Sequence, residues 1–330
     1  MAIVWFQTQA VSLTVQAGST ALLLAVLEIS LSLDNAIVNA TIIKKMSPLW
    51  QKRFLTWGML IAVFGMRLLF PLLIVGIIAH IDPISAFQLS FSNPMKYAEI
   101  MASAHLSVSS FGGVFLLMVF IHFFINSEKK HHWIQCIEKP LQNISKLKGI
   151  EIFLSLGFLL VLALKLNPTD ALTYLTSGLS GMLTFLFVHS LAEWLEDLNI
   201  DSKSESGTHR VTATSGFGLF LYLEILDASF SFDGVIGAFA LTNSLIQIMI
   251  GLSIGAFFVR SLTIYFVEKN TLDQFEFLEH GAFYALGALA LIMLTQPFIH
   301  CPEWITALVG AFILVSSVLW SIYKNRQRRA

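Results

Sequence analysis

Two motifs that combine carboxylates with serines lie inside apolar sequence, one in each half of the chain. The first reads Glu28-Ile-Ser-Leu-Ser-Leu-Asp34-Asn35 and the second reads Asp227-Ala-Ser-Phe-Ser-Phe-Asp233-Gly234, so that an acid, two serines and an aspartate recur in register. A carboxylate within a hydrophobic span is costly unless it is paired, protonated or coordinated. Acids that recur in this way predict a functional site.

The repeat extends beyond the acids. Gly58 and Arg67, in the next hydrophobic segment, have the same separation as Gly251 and Arg260, in the segment after the second motif. We therefore predict that one three-helix unit occurs twice in the chain.

Helical geometry decides which polar residues of the first motif share a face. At about 100° per residue, Glu28, Ser32 and Asn35 fall on one stripe of a helix, with Asp34 to one side. The three residues of this stripe are therefore expected to face the same side of the helix.

In the second motif Glu224, Asp227 and Ser231 share a stripe, whereas Asp233 points away from them on an unbroken helix. Asp233 joins the other acids only if the helix unwinds, and the Gly234 that follows tolerates such a break. We therefore expect a broken helix here, with backbone carbonyls exposed beside the acids.

The residue types in the two motifs favour a hard cation as ligand. Carboxylate, amide and hydroxyl oxygens without thiolates suit Mn²⁺, Mg²⁺ or Ca²⁺ better than Cu⁺ or Zn²⁺. The predicted metal ligands, supported by the hydroxyls of Ser32 and Ser231, are Glu28, Asp34, Asn35, Glu224, Asp227 and Asp233.

Arg67 and Arg260 allow a structural alternative, in which they pair with the acids and staple the helices together. Two arginines do not neutralise five carboxylates, so acids remain that could form a binding site. The arginines either anchor the acids or gate this site. His105 and His280, in the third helix of each unit, either relay protons or ligate metal, or they are satisfied histidines between helices.

Composition gives the class of protein. Hydrophobic residues make up 56% of the chain and charged residues 12%, well below the charged share of soluble domains. This predicts an all-α, polytopic membrane bundle in contact with the lipid bilayer, with no nucleic-acid partner at a net charge of −1. Hydrophobic runs place about nine spans, near 17–42, 54–79, 98–125, 150–166, 171–192, 214–243, 245–267, 277–299 and 303–323.

These spans divide the chain into four parts: a first three-helix repeat (1–125), a cytoplasmic loop with two linking helices and a linker (126–213), a second repeat (214–299) and a terminal helix with a basic tail (300–330). Residues 80–97 are expected to form a loop or a re-entrant piece. The polar stretch 126–149 is predicted to contain an amphipathic surface helix, and 201–208 a flexible linker.

Basic residues predict the orientation in a cell (inner) membrane. All but four of the 20 Lys and Arg residues fall in segments on one side; the exceptions are Lys96 and Lys165 on the other side, and Arg67 and Arg260 within spans. The positive-inside rule then places the N-terminus outside and the C-terminus in the cytoplasm. The two motif helices cross in opposite directions, an inverted repeat typical of a transport site at the bilayer midplane.

The motifs also resemble a known family. The Glu28 to Asn35 pattern, its partner ending in Asp233-Gly234, and the Arg67 and Arg260 that follow look like the TerC family, named for tellurium resistance and placed with the lysine-exporter superfamily. The likeness extends to Ala104-His105 with Phe111-Gly112-Gly113 and to Glu279-His280-Gly281. It implies metal homeostasis and manganese efflux, and it points to Glu28, Asp34, Asn35, Asp227 and Asp233. The helices near 150–166 and 171–192 depart from a shorter family pattern.

We therefore expect a membrane transporter that exports a divalent cation, Mn²⁺ first, with proton coupling and without a tightly bound cofactor. A homo-oligomer or other membrane-protein partners stay open. One alternative is a scaffold for proteins of tellurite or metal-stress resistance or of secretion, recruited through the polar loops. Another is an intramembrane aspartyl enzyme with Asp34 and Asp233 as its dyad, although five acids exceed what a dyad needs and we expect no enzyme.

Overall fold

The computed structural model of the protein describes residues 2–125, 133–134, 136, 138–140, 147, 149–201, 216–269, 271–299 and 301–329, and their side chains except at 2–13, 196–201, 232–233, 240, 271, 273, 303 and 329. Within these ranges regular structure is helical, with no strand. The prediction of an all-α bundle is confirmed for the described residues.

The helices that the structure describes from end to end are numbered here in chain order. They are α1 (Ala2–Leu31), α2 (Leu33–Ile43), α3 (Pro48–Ala79), α4 (Pro83–Ser92), α5 (Pro94–Ser103), α6 (His105–Ile125), α7 (Ile150–Ala163), α8 (Pro168–Asp201), α9 (Phe217–Leu241), α10 (Leu245–Glu268), α11 (Thr271–Gln274), α12 (Leu278–Thr295) and α13 (Glu303–Arg329).

Seven helices in the described ranges are long and apolar enough to cross a membrane, namely α1, α3, α6, α8, α10, α12 and α13. Helices α2 and α7 are apolar but shorter, and α9 carries Glu224, Asp227 and Asp233 within its 25 residues. The protein is thus a multi-pass helical bundle. The count of nine spans, the four-part division, the side on which each terminus lies and the inversion of the repeats stay predictions.

The first motif lies at a helix break. Ser32, with φ −107° and ψ 13°, separates α1 from α2, and the backbone N–H of Asn35 donates to Asp34 Oδ1 at 2.9 Å. The second motif has no such break, because α9 continues through Asp233 and Gly234. The prediction that this helix unwinds near Gly234 is wrong, and the physical reason is that a helix in apolar surroundings keeps its backbone hydrogen bonds unless other groups replace them.

Helix α3 contains two π-helical stretches, Phe54–Gly58 and Ile61–Leu69. A π-helical turn takes up more residues than an α-helical turn, so it changes the direction of the side chains that follow. Arg67 lies in the second stretch and donates from Nη1 to the carbonyl of Ala62, five residues earlier, at 2.6 Å. The widened helix therefore positions this arginine.

Residues 80–97 form helical structure instead of a loop. The side chain of Asp82 accepts from the backbone N–H of Ser85 at 3.0 Å at the start of α4, and Asn93 accepts from Lys96 at 3.1 Å at the start of α5. Each of these helices has proline in its first turn, where the missing N–H is not needed. The expected loop is wrong because each cap satisfies the first backbone donors of a short helix.

The two predicted polar connections lie mostly outside the described residues. Of the first, Glu138 is buried and accepts from the backbone of Trp133 and Ile134 at 3.2 and 3.1 Å and from the Tyr284 hydroxyl at 3.1 Å. Helix α8 extends to Asp201, past the predicted end of its span. The predicted surface helix and most of the linker belong to residues that the structure does not describe.

Small residues allow close approach between α6 and α12 and their neighbours. A Cβ added to Gly113 would lie 2.7 Å from Leu294, and one added to Gly112 would lie 2.9 Å from Met293. Gly281 packs against Ser317, and Gly287 against the ring of Phe120. These glycines therefore serve close helix packing.

Two glycines of α10 bring that helix against the first motif. A Cβ on Gly251 would lie 2.6 Å from Leu24, and one on Gly255 would lie 2.5 Å from Glu28 Cβ and 2.9 Å from the Ala25 carbonyl. Their four-residue spacing matches that of Leu24 and Glu28 on α1, so the two helices touch along one line. This contact brings Glu28 to the interface with α10.

Candidate cation site

One cavity of about 30 Å³ lies among α1, α2, α3, α9 and α10, and residues of both motifs line it. A water molecule needs roughly 10–15 Å³ by this kind of measure, so the cavity has room for about two. Its lining residues are Glu28, Ser32, Asn35, Asn39, Ala62, Arg67, Asp227, Phe230, Ser231, Ala256, Val259, Arg260 and Thr263. The predicted stripe of Glu28, Ser32 and Asn35 is therefore confirmed.

The two motifs approach each other directly at this cavity. A Cβ added to Gly234 would lie 3.2 Å from Glu28 Oε2, so the carboxylate of the first motif lies against the backbone of the second. Glycine at position 234 thus permits this approach, which differs from the predicted use of Gly234 as a helix breaker.

Glu28 forms a buried ion pair with Arg67. The Arg67 guanidinium donates from Nη2 to Glu28 Oε1 and from Nη1 to the Ala62 carbonyl at 2.6 Å. Ser32 Oγ lies 3.4 Å from Glu28 Oε1 on the side of the cavity. Glu28 is 2% exposed and Arg67 5%, so each charge depends on the other for compensation.

Asp227 takes the corresponding position in the second motif, but its pairing differs. Arg260 Nη2 lies 3.8 Å from Asp227 Oδ2, within reach of an ion pair but beyond a hydrogen bond. The side-chain amide of Asn39 donates to Asp227 Oδ1 at 2.7 Å. The guanidinium carbon of Arg260 lies 4.0 Å from the ring centre of Phe54, a cation–π contact.

Glu224 is a third buried acid close to this pair. Its side chain is 5% exposed, and neither carboxylate oxygen has a hydrogen-bond partner among the described residues. A Cβ on Gly58 would lie 2.5 Å from Glu224 Oε1 and 3.1 Å from Arg260 Nη2, so both groups lie over this glycine. Glu224 therefore adds negative charge beside Arg260 without a hydrogen bond of its own.

Several neutral oxygens at the cavity also lack partners. Asn35 Oδ1, Asn39 Oδ1 and Ser231 Oγ are buried without a hydrogen bond in the part of the chain that the structure describes. Buried polar atoms are normally satisfied, so these oxygens are free to bind water or a cation within the cavity. Amide and hydroxyl oxygens beside carboxylates are donors to a hard cation.

The structure does not bring all the predicted ligands together. Asp34 is buried but lines a separate cavity of about 10 Å³, formed with α12 and α13 and including Leu289, Thr306 and Leu314. Asp34 lies to one side of the stripe of Glu28, Ser32 and Asn35, so it faces this second cavity. Asp233 lies in α9, but its side chain is not among those that the structure describes. Among the described side chains no three of His, Cys, Asp or Glu cluster closely enough to hold a metal ion, so they do not assemble the predicted group of five acids.

The two predicted histidines do not line the cavity. His105 Nε2 lies 3.5 Å from Ser109 Oγ, and Ser109 donates to Gln296 Oε1 at 2.9 Å. His280 Nε2 lies 3.8 Å from Glu138 Oε2, with Phe123, Phe124 and Phe277 around its ring. His280 thus contacts residues of other elements, whereas His105 contacts Ser109 of its own helix α6.

Asn39, Phe54 and Gly58 contact the site but were not among the predicted residues. Asn39 lies on the stripe of Glu28, Ser32 and Asn35 continued by one turn, so an extended helical wheel identifies it. Gly58 was noticed only as part of the repeat, and Phe54 carries no sequence signal, because their contacts depend on how α3 packs against α9.

Comparison with known proteins gives one family. The family described as "Protein of unknown function (DUF475)" matches residues 33–328, a range that includes every cavity-lining residue except Glu28 and Ser32. No curated protein and no solved structure matches the chain. The resemblance to the TerC family stays a prediction.

Proposed function

We propose, from the premise that the chain belongs to the DUF475 family, that it is a membrane transporter of a divalent cation, with Mn²⁺ as the first candidate. The cation binds at the cavity between the two motifs and is exported, in exchange for protons. The multi-pass helical bundle fits a transporter in general, and the chemistry of the cavity supports the cation.

The observation that carries this proposal is the meeting of Glu28 and Asp227 at one cavity, with the unsatisfied oxygens of Asn35, Asn39 and Ser231 around it. Each acid comes from a different half of the chain. A site at the interface of two halves is the arrangement that alternating access requires, because movement of one half against the other opens it to either side.

The donor set favours a hard divalent ion over other ligands. Oxygen atoms of carboxylates, amides and hydroxyls suit Mn²⁺, Mg²⁺ and Ca²⁺, whereas the described lining has no thiolate or imidazole for softer metals. Export and the choice of Mn²⁺ follow from the resemblance to the TerC family, and proton exchange follows from the need to compensate buried carboxylates when the metal leaves.

Transport in proteoliposomes tests the proposal. Purified protein is reconstituted, Mn²⁺ is added on one side, and entry is measured with a trapped Mn²⁺-sensitive dye. We expect wild type to transport and Asp227→Asn to lose most of the activity, because the amide lacks the charge that offsets dehydration of the ion.

Asp170→Asn is the matched control, because Asp170 is exposed at the start of α8 and distant in sequence from both motifs. It should transport like wild type. Equal Mn²⁺ entry in wild type, Asp227→Asn and protein-free liposomes would reject the proposed function.

A further inference from the structure

The two arginines of the site are held very differently. Arg67 is fixed at both ends of its guanidinium, by Glu28 and by the Ala62 carbonyl. Arg260 has a 3.8 Å ion pair with Asp227 and a ring contact with Phe54, and its Nη2 makes no hydrogen bond to any described residue. Arg67 is therefore anchored, whereas Arg260 is weakly attached.

Neither Asp227 nor Glu224 forms a hydrogen bond with Arg260 among the described contacts. Asp227 uses Oδ1 to accept from Asn39, so its position does not depend on the arginine. Glu224 has no hydrogen bond within the described ranges, and its carboxylate lies beside Arg260 over Gly58. If Arg260 moved away, these two carboxylates would stay near one another without a compensating cation.

The two arginines also differ in the number of buried acids that surround them. Glu28 and Arg67 compensate each other within their ion pair. When both are ionised, Asp227 and Glu224 carry two negative charges against the single charge of Arg260, which lies close to each of them. A divalent cation that enters while Arg260 stays would leave a buried excess of positive charge, whereas one that replaces Arg260 would balance both acids.

We infer that Arg260 is a tethered counter-cation that the transported divalent ion displaces, and that Asp227 and Glu224 are the acids which that ion then binds. Arg67 is the fixed structural partner of Glu28. This inference rests on the proposed function and sharpens it, because it names a displaceable group, Arg260, and two acids: Asp227, which lines the cavity, and Glu224, which lies beside Arg260 over Gly58.

The test measures Mn²⁺ binding to full-length protein in lipid nanodiscs, by the loss of the electron paramagnetic resonance signal of free Mn²⁺. Arg260→Gln should bind Mn²⁺ at least about ten-fold more tightly than wild type, because the competing cation is gone. Its transport should fall, because no group replaces the metal when it leaves. Arg260→Lys keeps the charge and should return the affinity toward that of wild type.

The matched variant is Arg67→Gln, which should not tighten Mn²⁺ binding. A metal-free comparison adds a second readout: the thermal unfolding midpoint should fall further in Arg67→Gln than in Arg260→Gln, because only Arg67 is hydrogen-bonded to a buried acid. If Arg67→Gln fails to fold while Arg260→Gln folds, the result still agrees with the inference, because Arg67→Gln is expected to be the less stable variant.

The outcomes separate this inference from the proposed function. Unchanged or weaker Mn²⁺ binding in Arg260→Gln, beside clear binding in wild type, would overturn the inference alone. Equal loss of thermal stability in both Gln variants would also overturn it. An absence of binding in wild type and in Arg260→Gln would reject both, whereas binding that appears only in Arg260→Gln would support the inference.

Discussion

Asn39 donates a hydrogen bond of 2.7 Å to Asp227, joining residues 188 positions apart and linking α2, which begins within the first motif, to α9, which carries the second. Both residues are buried, and the basic partner of Asp227 among the described residues is Arg260, at 3.8 Å. This amide is therefore the closest partner that fixes the Asp227 carboxylate at the cavity.

Asn39→Ala should lower stability and transport together. A hydrogen bond to a charged acceptor contributes about 1.5–3 kcal/mol, and its loss leaves Asp227 less well compensated in a buried place. We expect a lower thermal midpoint in nanodiscs and reduced Mn²⁺ entry into proteoliposomes. Thr41→Val is the control, because Thr41 is also buried on α2 and its hydroxyl donates to the carbonyl of Ile37 within the same helix. A wild-type midpoint in Asn39→Ala would contradict the importance of this bond.

Gly255→Ala should destabilise the contact between α1 and α10. The added Cβ would meet Glu28 Cβ at 2.5 Å and the Ala25 carbonyl at 2.9 Å, and backbone does not move aside as a flexible side chain does. Overpacking of this kind costs about 1–3 kcal/mol. The measurement is the free energy of unfolding in mixed micelles.

Gly157→Ala is the matched control for that change, because nothing lies within 4 Å of the position of its Cβ on α7. Alanine is the better helix former by about 0.5–1 kcal/mol, so the expected sign is the opposite. Destabilisation by both alanines to the same degree would mean that the close approach at Gly255 is not what matters.

The sequence predicts the lining of the cavity where a regular helix is enough. Glu28, Ser32 and Asn35 face one way because their spacing follows the helical turn. Arg67 and Arg260 were correctly expected to pair with acids. These features depend on local geometry and on the cost of an unpaired buried charge.

What the sequence did not predict depends on tertiary packing. The break at Ser32 leaves Asp34 facing α12 and α13, and no local pattern tells which helices lie on that side. The unbroken α9 and the π-helical turns that aim Arg67 are likewise set by neighbouring helices. A polar pattern indicated which residues form a site, but not which of two cavities each one enters.

The cap of α4 gives a pH dependence outside the spans. Hydrogen bonds from the Ser85 hydroxyl and backbone hold the pKa of Asp82 below its usual value of 3.8. A carboxyl with a lowered pKa in the folded state stabilises that state above the unfolded pKa, and this contribution is lost as pH falls through the folded pKa. The protection of amides at the start of α4, measured relative to the intrinsic exchange rate at each pH, should therefore fall as pH falls below 3.8. In Asp82→Ala this protection should already be low above that pH, and wild-type protection in this variant would argue against the cap.

The distribution of basic residues predicts opposite sides for the two termini. A reporter fused after Ala330 should read as cytoplasmic and one before Met1 as external, since Lys and Arg favour the inside. A fusion within 202–208 should also read as cytoplasmic. Both termini on one side would remove the nine-span arrangement and with it the opposite crossing of α1 and α9.

Two conservative changes of buried acids should have different consequences. Glu28→Gln removes the partner of Arg67 and leaves that guanidinium buried without its charge, at a cost of about 3–5 kcal/mol. Glu224→Gln removes no hydrogen bond from the described structure, so it should lower the free energy of unfolding less than Glu28→Gln does. It should nevertheless weaken Mn²⁺ binding about ten-fold, because one of the two acids beside Arg260 has lost its charge. Unfolding in nanodiscs and Mn²⁺ titration of the same samples give both values. Equal destabilisation by the two variants, or unchanged Mn²⁺ affinity in Glu224→Gln, would show that the charge of Glu224 is structural and that the metal binds elsewhere.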